Sequence, residues 1–475
     1  MLENHMDLPT FLSRVSNSLS SAPALANVIS IDLSSDSLAA LQNDLLDKSY
    51  NISVVVESRN YFSGDWNAFG QFITSYVFFV RDVNPYDMEE SYFLVEKLFN
   101  DLQVAFSNRR GGLLTSVVRN LAGFVTSLAI SLDAQGPSKE ASQGTEFKSL
   151  PRTSEVSKVL LKIFNSIRAE RFSNETSGEI SKKEVILYVA VLLCRAYFKL
   201  NQPSACANVF SNIHTANIQF SQYPRSERVT YRYYLGRFYF LRQELLRARA
   251  HLSWAFANCM TRAVKNQRAI LSYLIPVNLL TGVGTRPALY HIAGDVLREM
   301  FLPLEQAMRA GDLYAFNEHL VRHFHWFLSK QMFLILRSKA EIVIFRNLFR
   351  QIDLIVTSSA PPPEPGAKRL NDLSFAQLLA GIRLSTRSYD PELTKQASTP
   401  SATAPAIFPY GDVILWSFED VENLCISLIK QEFLKGNIWT RSKLVRLMNS
   451  GGLPPMRDVY AKHLVAADNE KWMDS

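Results

Sequence analysis

Cysteine is scarce: 4 occur in 475 residues. Cys194, Cys206, Cys259 and Cys425 each fall in an apolar helical pattern, at spacings that suit neither metal ligation nor a disulfide framework. They read as structural thiols in a reducing compartment. Long hydrophobic runs are also missing, since the longest, residues 185–194, falls short of the ~18 residues a bilayer crossing needs. The chain opens without the basic, apolar and small-residue succession of a secretory signal. The expectation is a soluble intracellular protein without membrane insertion. A content of 47% hydrophobic and 20% charged residues excludes general disorder.

Catalytic signatures are equally sparse. Gly111-Gly112 and Gly282-Val-Gly284 lack the lysine and the strand-to-helix setting of a phosphate loop. His319 and His323 stand four apart with His325 close by, but Leu320 occupies the place where a metalloprotease carries its glutamate. Among Leu320, Phe324 and Trp326 these histidines read as packing residues. No serine or cysteine is framed as a nucleophile. A non-enzyme with no cofactor, metal or catalytic residue is expected.

Charge is present and unevenly spread. The net value is +7. Residues 1–150 hold 10 Lys/Arg against 17 Asp/Glu, residues 151–356 hold 28 against 14, and residues 357–475 hold 13 of each. A basic middle of this kind favours polyanions or an acidic protein partner. Within it, residues 225–268 carry 10 basic side chains against Glu227 and Glu244. Arg225, Arg228 and Arg232 recur at i, i+3 and i+7, hence on one helical face. That face suits an acidic peptide or nucleic acid; a plain solvated face is the competing reading.

Hydrophobic residues recur at three and four over most of the chain, which predicts helices. They are expected over residues 36–46, 65–81 and 87–108, the last with Asp87 as N-cap. After a Gly/Pro-interrupted linker, further helices are expected over 155–171, 182–200, 204–214, 225–241, 244–260, 265–280, 294–309, 312–327 and 330–354. Short connections make successive helices antiparallel neighbours. Leu235-Gly236, Tyr239, Ala248, Leu252 and Ala255 match a tetratricopeptide-type pair. A fainter copy, Leu193-Cys194, Tyr197, Cys206 and Phe210, precedes it by 42 residues. The Pro-rich stretch 357–368 ends this stack. Beyond it a helix over 372–382, capped by Asp372 or Ser374, precedes a Ser/Thr/Ala/Pro loop at 395–409. A capping box follows at Ser417 and Asp420, with an apolar stripe of Val421, Leu424, Cys425, Leu428 and Ile429. Two short strands around residues 433–439 and 444–447, with a turn at 441–443, complete a winged helix. The predicted organisation is an N-terminal helical region (1–135), a linker (136–154), a helical stack (155–356), a winged helix (370–450) and a tail (451–475).

These residues carry a family resemblance. Arg228-Val-Thr-Tyr-Arg-Tyr-Tyr-Leu-Gly236, Ala248 through Leu252-Ser-Trp-Ala-Phe256, Lys265-Asn-Gln-Arg268, Leu271-Ser-Tyr-Leu-Ile-Pro-Val277, Phe345-Arg-Asn-Leu-Phe349 and Leu434-Lys-Gly436 follow in order. Over residues 180–450 the chain resembles the PCI-domain-containing protein 2 family. The resemblance implies a PCI architecture: an all-α helical-repeat stack of TPR/HEAT-like type ending in a C-terminal winged helix with a small β-hairpin. It further implies a subunit of the transcription-coupled mRNA export complex, in the nucleus at the nuclear pore. Its partners would be a large PCI-containing scaffold subunit, a small acidic disordered subunit also found with the proteasome lid, and RNA or DNA bound without sequence specificity. A signalosome-subunit-like relative acting in transcription and splicing is the alternative, and a purely structural assembly subunit a third. Glu432 and Asn437 depart from the family pattern, where glycine and an aromatic are expected.

The wing is the leading candidate site. Residues 430–463 carry 7 Lys/Arg against Glu432 and Asp458. Lys430, Lys435, Arg441, Lys443 and Arg446 are candidate phosphate contacts, and Trp439 a candidate base-stacking residue. Packing of Trp439 between hairpin and helix is the alternative. Trp416, Val421, Leu424 and Leu428 are candidate partner contacts, with a role in the core as the competing reading.

Overall fold

A computed structural model of the chain describes residues 6–32, 35–48, 50–59, 61–136, 151–170, 181–216, 218–359, 371–388, 416–448, 451–462 and 472–473. The chain packs as two compact units, Met1–Tyr234 with Lys471–Ser475, and Leu235–Glu470.

The first unit is helical among the described residues. It runs through α1 (Leu8–Asn17), α2 (Ala22–Val28), α3 (Asp36–Asp47), α4 (Ile52–Glu57), α5 (Asn67–Asp82), α6 (Tyr92–Ser107), α7 (Thr115–Gln135), α8 (Arg152–Arg168), α9 (Ile186–Lys199) and α10 (Cys206–Thr215) into α11 (Arg225–Leu241). α1 shows why such short helices hold. Asp7 caps it by accepting from Thr10 N at 3.0 Å, and Leu8, Phe11, Leu12 and Val15 form its buried stripe. Buried Asp44 of α3 accepts from Leu8 N at 3.0 Å and pairs with Lys48 at 2.7 Å. Asp87 does not cap α6. Its carboxylate accepts from Glu89 N and Glu90 N, closing a local turn that competes with helix, and α6 starts five residues later.

One expectation is corrected here. The segment Arg109–Gln135 is long and apolar enough to cross a bilayer by length and composition, although no unbroken apolar run announces it. Half of its most apolar window is buried inside the fold, where Val117, Val118, Leu121 and Val125 lie in a helix packed on α2, α8 and α9.

The second unit begins with the end of α11 and goes on through α12 (Leu245–Asn258), α13 (Val264–Leu280), α14 (Pro287–Ala293), α15 (Asp295–Ala310), α16 (Leu313–Arg322), α17 (Phe324–Ser329) and α18 (Phe333–Ser359). Gly236 is the close-approach residue of the α11–α12 pair: a Cβ there would lie 2.7 Å from Leu252 Cγ and 3.3 Å from Ala248 O. α14 lies in a stretch where no helix is expected, and the expected helix 312–327 breaks into two at His323. His319 is a packing residue, its Nε2 3.0 Å from Met300 O.

The stack turns by one repeated device. Asn201, Gln243, Gly282, Gly311 and Gln331 all have φ between 56° and 77°. The residue after each sends its N–H back five positions: Gln202 to Tyr197 O, Glu244 to Tyr239 O, Val283 to Asn278 O, Asp312 to Ala307 O and Met332 to Phe327 O, all at 2.8–3.1 Å. This is the left-handed C-terminal cap that satisfies a helix's last carbonyls and reverses the chain. The turns after Tyr197 and Tyr239 coincide at the 42-residue displacement found in the sequence.

The unit ends in β1 (Asn371–Ser374), α19 (Phe375–Thr386), α20 (Phe418–Lys430), β2 (Gly436–Trp439), β3 (Leu444–Leu447) and α21 (Met456–Lys462). Capping boxes start both long helices, Ser374 with Gln377 and Ser417 with Asp420. The sheet is antiparallel with strand order β1-β3-β2. The hairpin is as expected; β1 is an addition. Asp372 is therefore a strand residue and not a cap, because Ser374, two residues closer to the helix, takes the capping role. The described part of the chain is a helical stack followed by a winged helix. The inserts at 357–368 and 395–409 lie outside the described residues, except that α18 runs on to Ser359.

Candidate nucleic-acid interface

The wing has two unlike faces, a direct consequence of strand alternation. Leu373, Val445 and Leu447 point inward and are buried. On the other face, pairing sets Asp372 beside Arg446 beside Asn437, and Ser374 beside Leu444 beside Trp439. Trp439 is 51% exposed, which decides against packing between hairpin and helix. Its neighbour is the Arg446 guanidinium, 5.7 Å from the ring centroid. Arg446 is itself held by a bidentate pair to Asp372, at 2.8 and 2.9 Å. The hydrogen bond and charge of Arg446 lower the Asp372 pKa below the usual aspartate value.

Gly436 makes this sheet possible, since a Cβ there would meet Arg446 O and Leu447 Cα. Lys435 is pinned through its backbone, with N–H to Gly452 O at 2.7 Å and C=O to Met448 N at 2.9 Å. The turn is fixed at Thr440, whose hydroxyl donates to Glu422 at 3.0 Å, and at Lys443, with φ 48°. The Lys443 ammonium lies 4.5 Å from the Phe418 ring centroid.

These positions divide the expected patch into two. Trp439, Arg441, Lys443 and Arg446 gather at the turn end, next to the start of α20. Lys430 ends α20 and Lys435 precedes β2, so they stand at the far end of a strand spanning about 13 Å. Arg446 is neutralised by Asp372, and Lys462 pairs with Glu432 at 3.3 Å. Arg441 and Lys443 form no ion pair among the described residues. Glu432 explains one departure from the family pattern. It has φ 59°, the conformation glycine adopts most readily, and Phe433 N bonds to Leu428 O behind it.

Two groups of sequence candidates need correction. Arg232 is not on an open basic face: it is 5% exposed, donates to Met473 O at 2.8 Å and lies over the Phe220 ring. Arg225 is exposed and Arg228 half-buried, so the face runs inward along α11. Much of the basic charge nearby is engaged: Arg237 over Tyr273, and Arg242 and Arg247 on Glu244. Val421 and Leu428 are core residues of the winged helix, fully buried. Leu424 and Trp416 are half-buried, and Trp416 stands edge-on to Phe345 at 5.6 Å. The exposed apolar residues of α20 are instead Phe418 and Ile426, two turns apart.

Sequence reasoning offered Asp372 only as a cap, not as the partner of Arg446, and missed the role of Arg346. Arg346, within the Phe345–Phe349 motif, is buried and donates to the carbonyls of Leu453 and Pro454, which lead into α21. Burial, with Arg350 nearby, lowers its pKa to about 10.

No model of a known protein family matches the chain. Individual proteins do. The chain is 28% identical to a PCI domain-containing protein of Schizosaccharomyces pombe, covering 91% of each chain. It is 31% identical to the PCI domain-containing protein 2 homolog of Dictyostelium discoideum, over 44% of this chain and about half of that protein (47%). It is 23% identical to Nuclear mRNA export protein THP1 of Saccharomyces cerevisiae, over 84% and 86% of the two. Proteins named Protein CSN12 homolog, from two filamentous fungi, match as well. Over most of its length the chain is thus similar to a PCI domain-containing protein, and its described part is a helical stack that ends in a winged helix.

Proposed function

We propose that this chain is a non-catalytic PCI scaffold subunit acting in messenger RNA export, and that its winged helix binds nucleic acid without reading sequence. The export role is supported by similarity to THP1 along most of both chains. The nucleic-acid role rests on one observation: Trp439 is exposed on the outer face of the wing, with Arg441 and Lys443, which form no ion pair among the described residues, at the adjoining turn. A flat ring beside two cations suits a single strand, the ring stacking on a base while the cations meet phosphates. Stacking and phosphate contacts carry no base-edge information, so binding without sequence preference is the form proposed.

As a scaffold it would join a large PCI-containing subunit and a small acidic subunit in the nucleus, at the pore. Phe418 and Ile426 offer the larger partner an apolar strip on α20, and Arg225 an entry point for acidic chain. The proposed modules are the N-terminal region (1–135), the stack (155–356) and the winged helix (370–450), with residues 136–154 linking the first two. A signalosome-subunit-like role in transcription and splicing is the second reading, favoured by the Protein CSN12 homologs.

The test is binding of the purified full chain to unstructured single-stranded RNA across a salt series. Lys435, Arg441 and Lys443 are changed together to Glu; Arg446 is left, because reversing it would set two acids side by side in the sheet. The slope of log affinity against log salt should fall by about 2. An unchanged slope and affinity removes the wing from nucleic-acid binding.

A further inference from the structure

The chain's own end supplies the observation. Trp472 and Met473 belong to the first unit, seated against residues that lie far away in sequence. The Trp472 ring stands edge-on to Phe220 at 5.5 Å, to His214 at 6.3 Å and to Tyr231 at 6.5 Å. Met473 is 4% exposed, and its carbonyl accepts from Arg232 Nη2 at 2.8 Å. Phe220 completes the arrangement beneath Arg232, 5.6 Å from the guanidinium.

We infer that α10, the turn Phe220–Gln222 and the start of α11 form a docking pocket for a Trp-Met peptide, and that the chain's own Trp472-Met473 occupies it in cis. Its parts do different work. Three rings give an edge-lined slot for an indole. Arg232 reads the peptide backbone through a carbonyl, from a position where a guanidinium needs an acceptor to stay buried. This pocket serves neither the wing nor the α20 strip, so it stands apart from the proposed export role. It also gives Arg232 a task other than the acidic-partner contact expected from its helical face.

Two measurements test it. A chain ending at residue 462 is mixed with a fluorescent peptide of residues 463–475. Saturable binding is expected, weakened at least about tenfold by Trp472→Ala in the peptide or by Phe220→Ala in the chain. The full-length chain should bind the peptide far more weakly, because its tethered tail competes at an effective concentration near millimolar. No saturable binding by a shortened chain that keeps its helical spectrum and cooperative melt overturns the proposal.

The second measurement keeps the chain intact. All four cysteines are buried, so a maleimide dye on Ser475→Cys labels one site. Its anisotropy should be high, and should fall to that of a free tail with Trp472→Ala or excess unlabelled peptide. High anisotropy that persists in Trp472→Ala overturns the pocket. Anisotropy that rises with protein concentration, alongside a dimer mass, overturns occupation in cis.

Discussion

Gln243 is a place where replacing a residue by glycine should stabilise a helical protein. It has φ 63° at the end of α11, and the following N–H bonds back to Tyr239 O at 2.9 Å. The side chain is exposed, so nothing packed is lost by removing it. An L-residue in the left-handed region costs about 1–2 kcal/mol. Glycine avoids that cost but loses about 0.5–1 kcal/mol more backbone entropy on folding. Gln243→Gly should therefore stabilise by about 0.5–1 kcal/mol, raising the midpoint of the unit Leu235–Glu470 by about 1–4 °C in a thermal melt. Gly311→Ala is the converse. Its φ is 77°, and a Cβ would lie 2.7 Å from the Leu348 Cα, part of a helix backbone that cannot step aside. The conformational cost and the overlap together should destabilise by about 2–5 kcal/mol. Destabilisation by Gln243→Gly of about 1 kcal/mol, as glycine brings to a helix interior, would refute the repeated left-handed turn.

Two further outcomes follow from the wing. Trp439→Ala should weaken single-stranded RNA binding by about 1–3 kcal/mol while leaving the melting midpoint nearly unchanged, because the ring lies on the outer face; a fall in midpoint without loss of binding contradicts this. The Arg446 hydrogen bond and charge depress the Asp372 pKa, so that pair's contribution to stability is fully present above the unfolded aspartate value near 4. It is lost as pH falls below that, through the folded pKa. Stability at pH 7 and pH 5 should thus differ little on account of this pair, and Asp372→Asn should flatten the loss below pH 4 in a pH-dependent melt; an undiminished acid loss in the variant assigns it to other carboxylates.

How much of this was legible in the sequence depends on which signal each element carried. α11 and α12 stand within a residue or two of their expected bounds, and α20 starts at the expected capping box. α7 was not expected, because Arg119 and Asn120 interrupt its apolar pattern while the remaining turns bury Val and Leu. The left-handed turns at Gln243 and Gln331 were hidden because neither carries the glycine that marks Gly282 and Gly311. β1 escaped notice because four residues, two of them Asn371 and Asp372, have no strand propensity; pairing with β3 makes them a strand. At the wing, residue types pointed to cations and an aromatic, but sequence alone does not say which are already paired. Arg446 and Arg232 lost their expected freedom to Asp372 and Met473, partners 74 and 241 residues away.

The central claim is that this chain works as a PCI scaffold in messenger RNA export. Affinity purification of the tagged full-length chain from nuclei, with the bound proteins identified and quantified, tests it most directly. The account predicts near-stoichiometric recovery of one large PCI-containing subunit and one small acidic subunit, together with nuclear RNA that salt strips away. Recovery with signalosome or splicing components in place of that pair, or recovery of the chain alone, would contradict it.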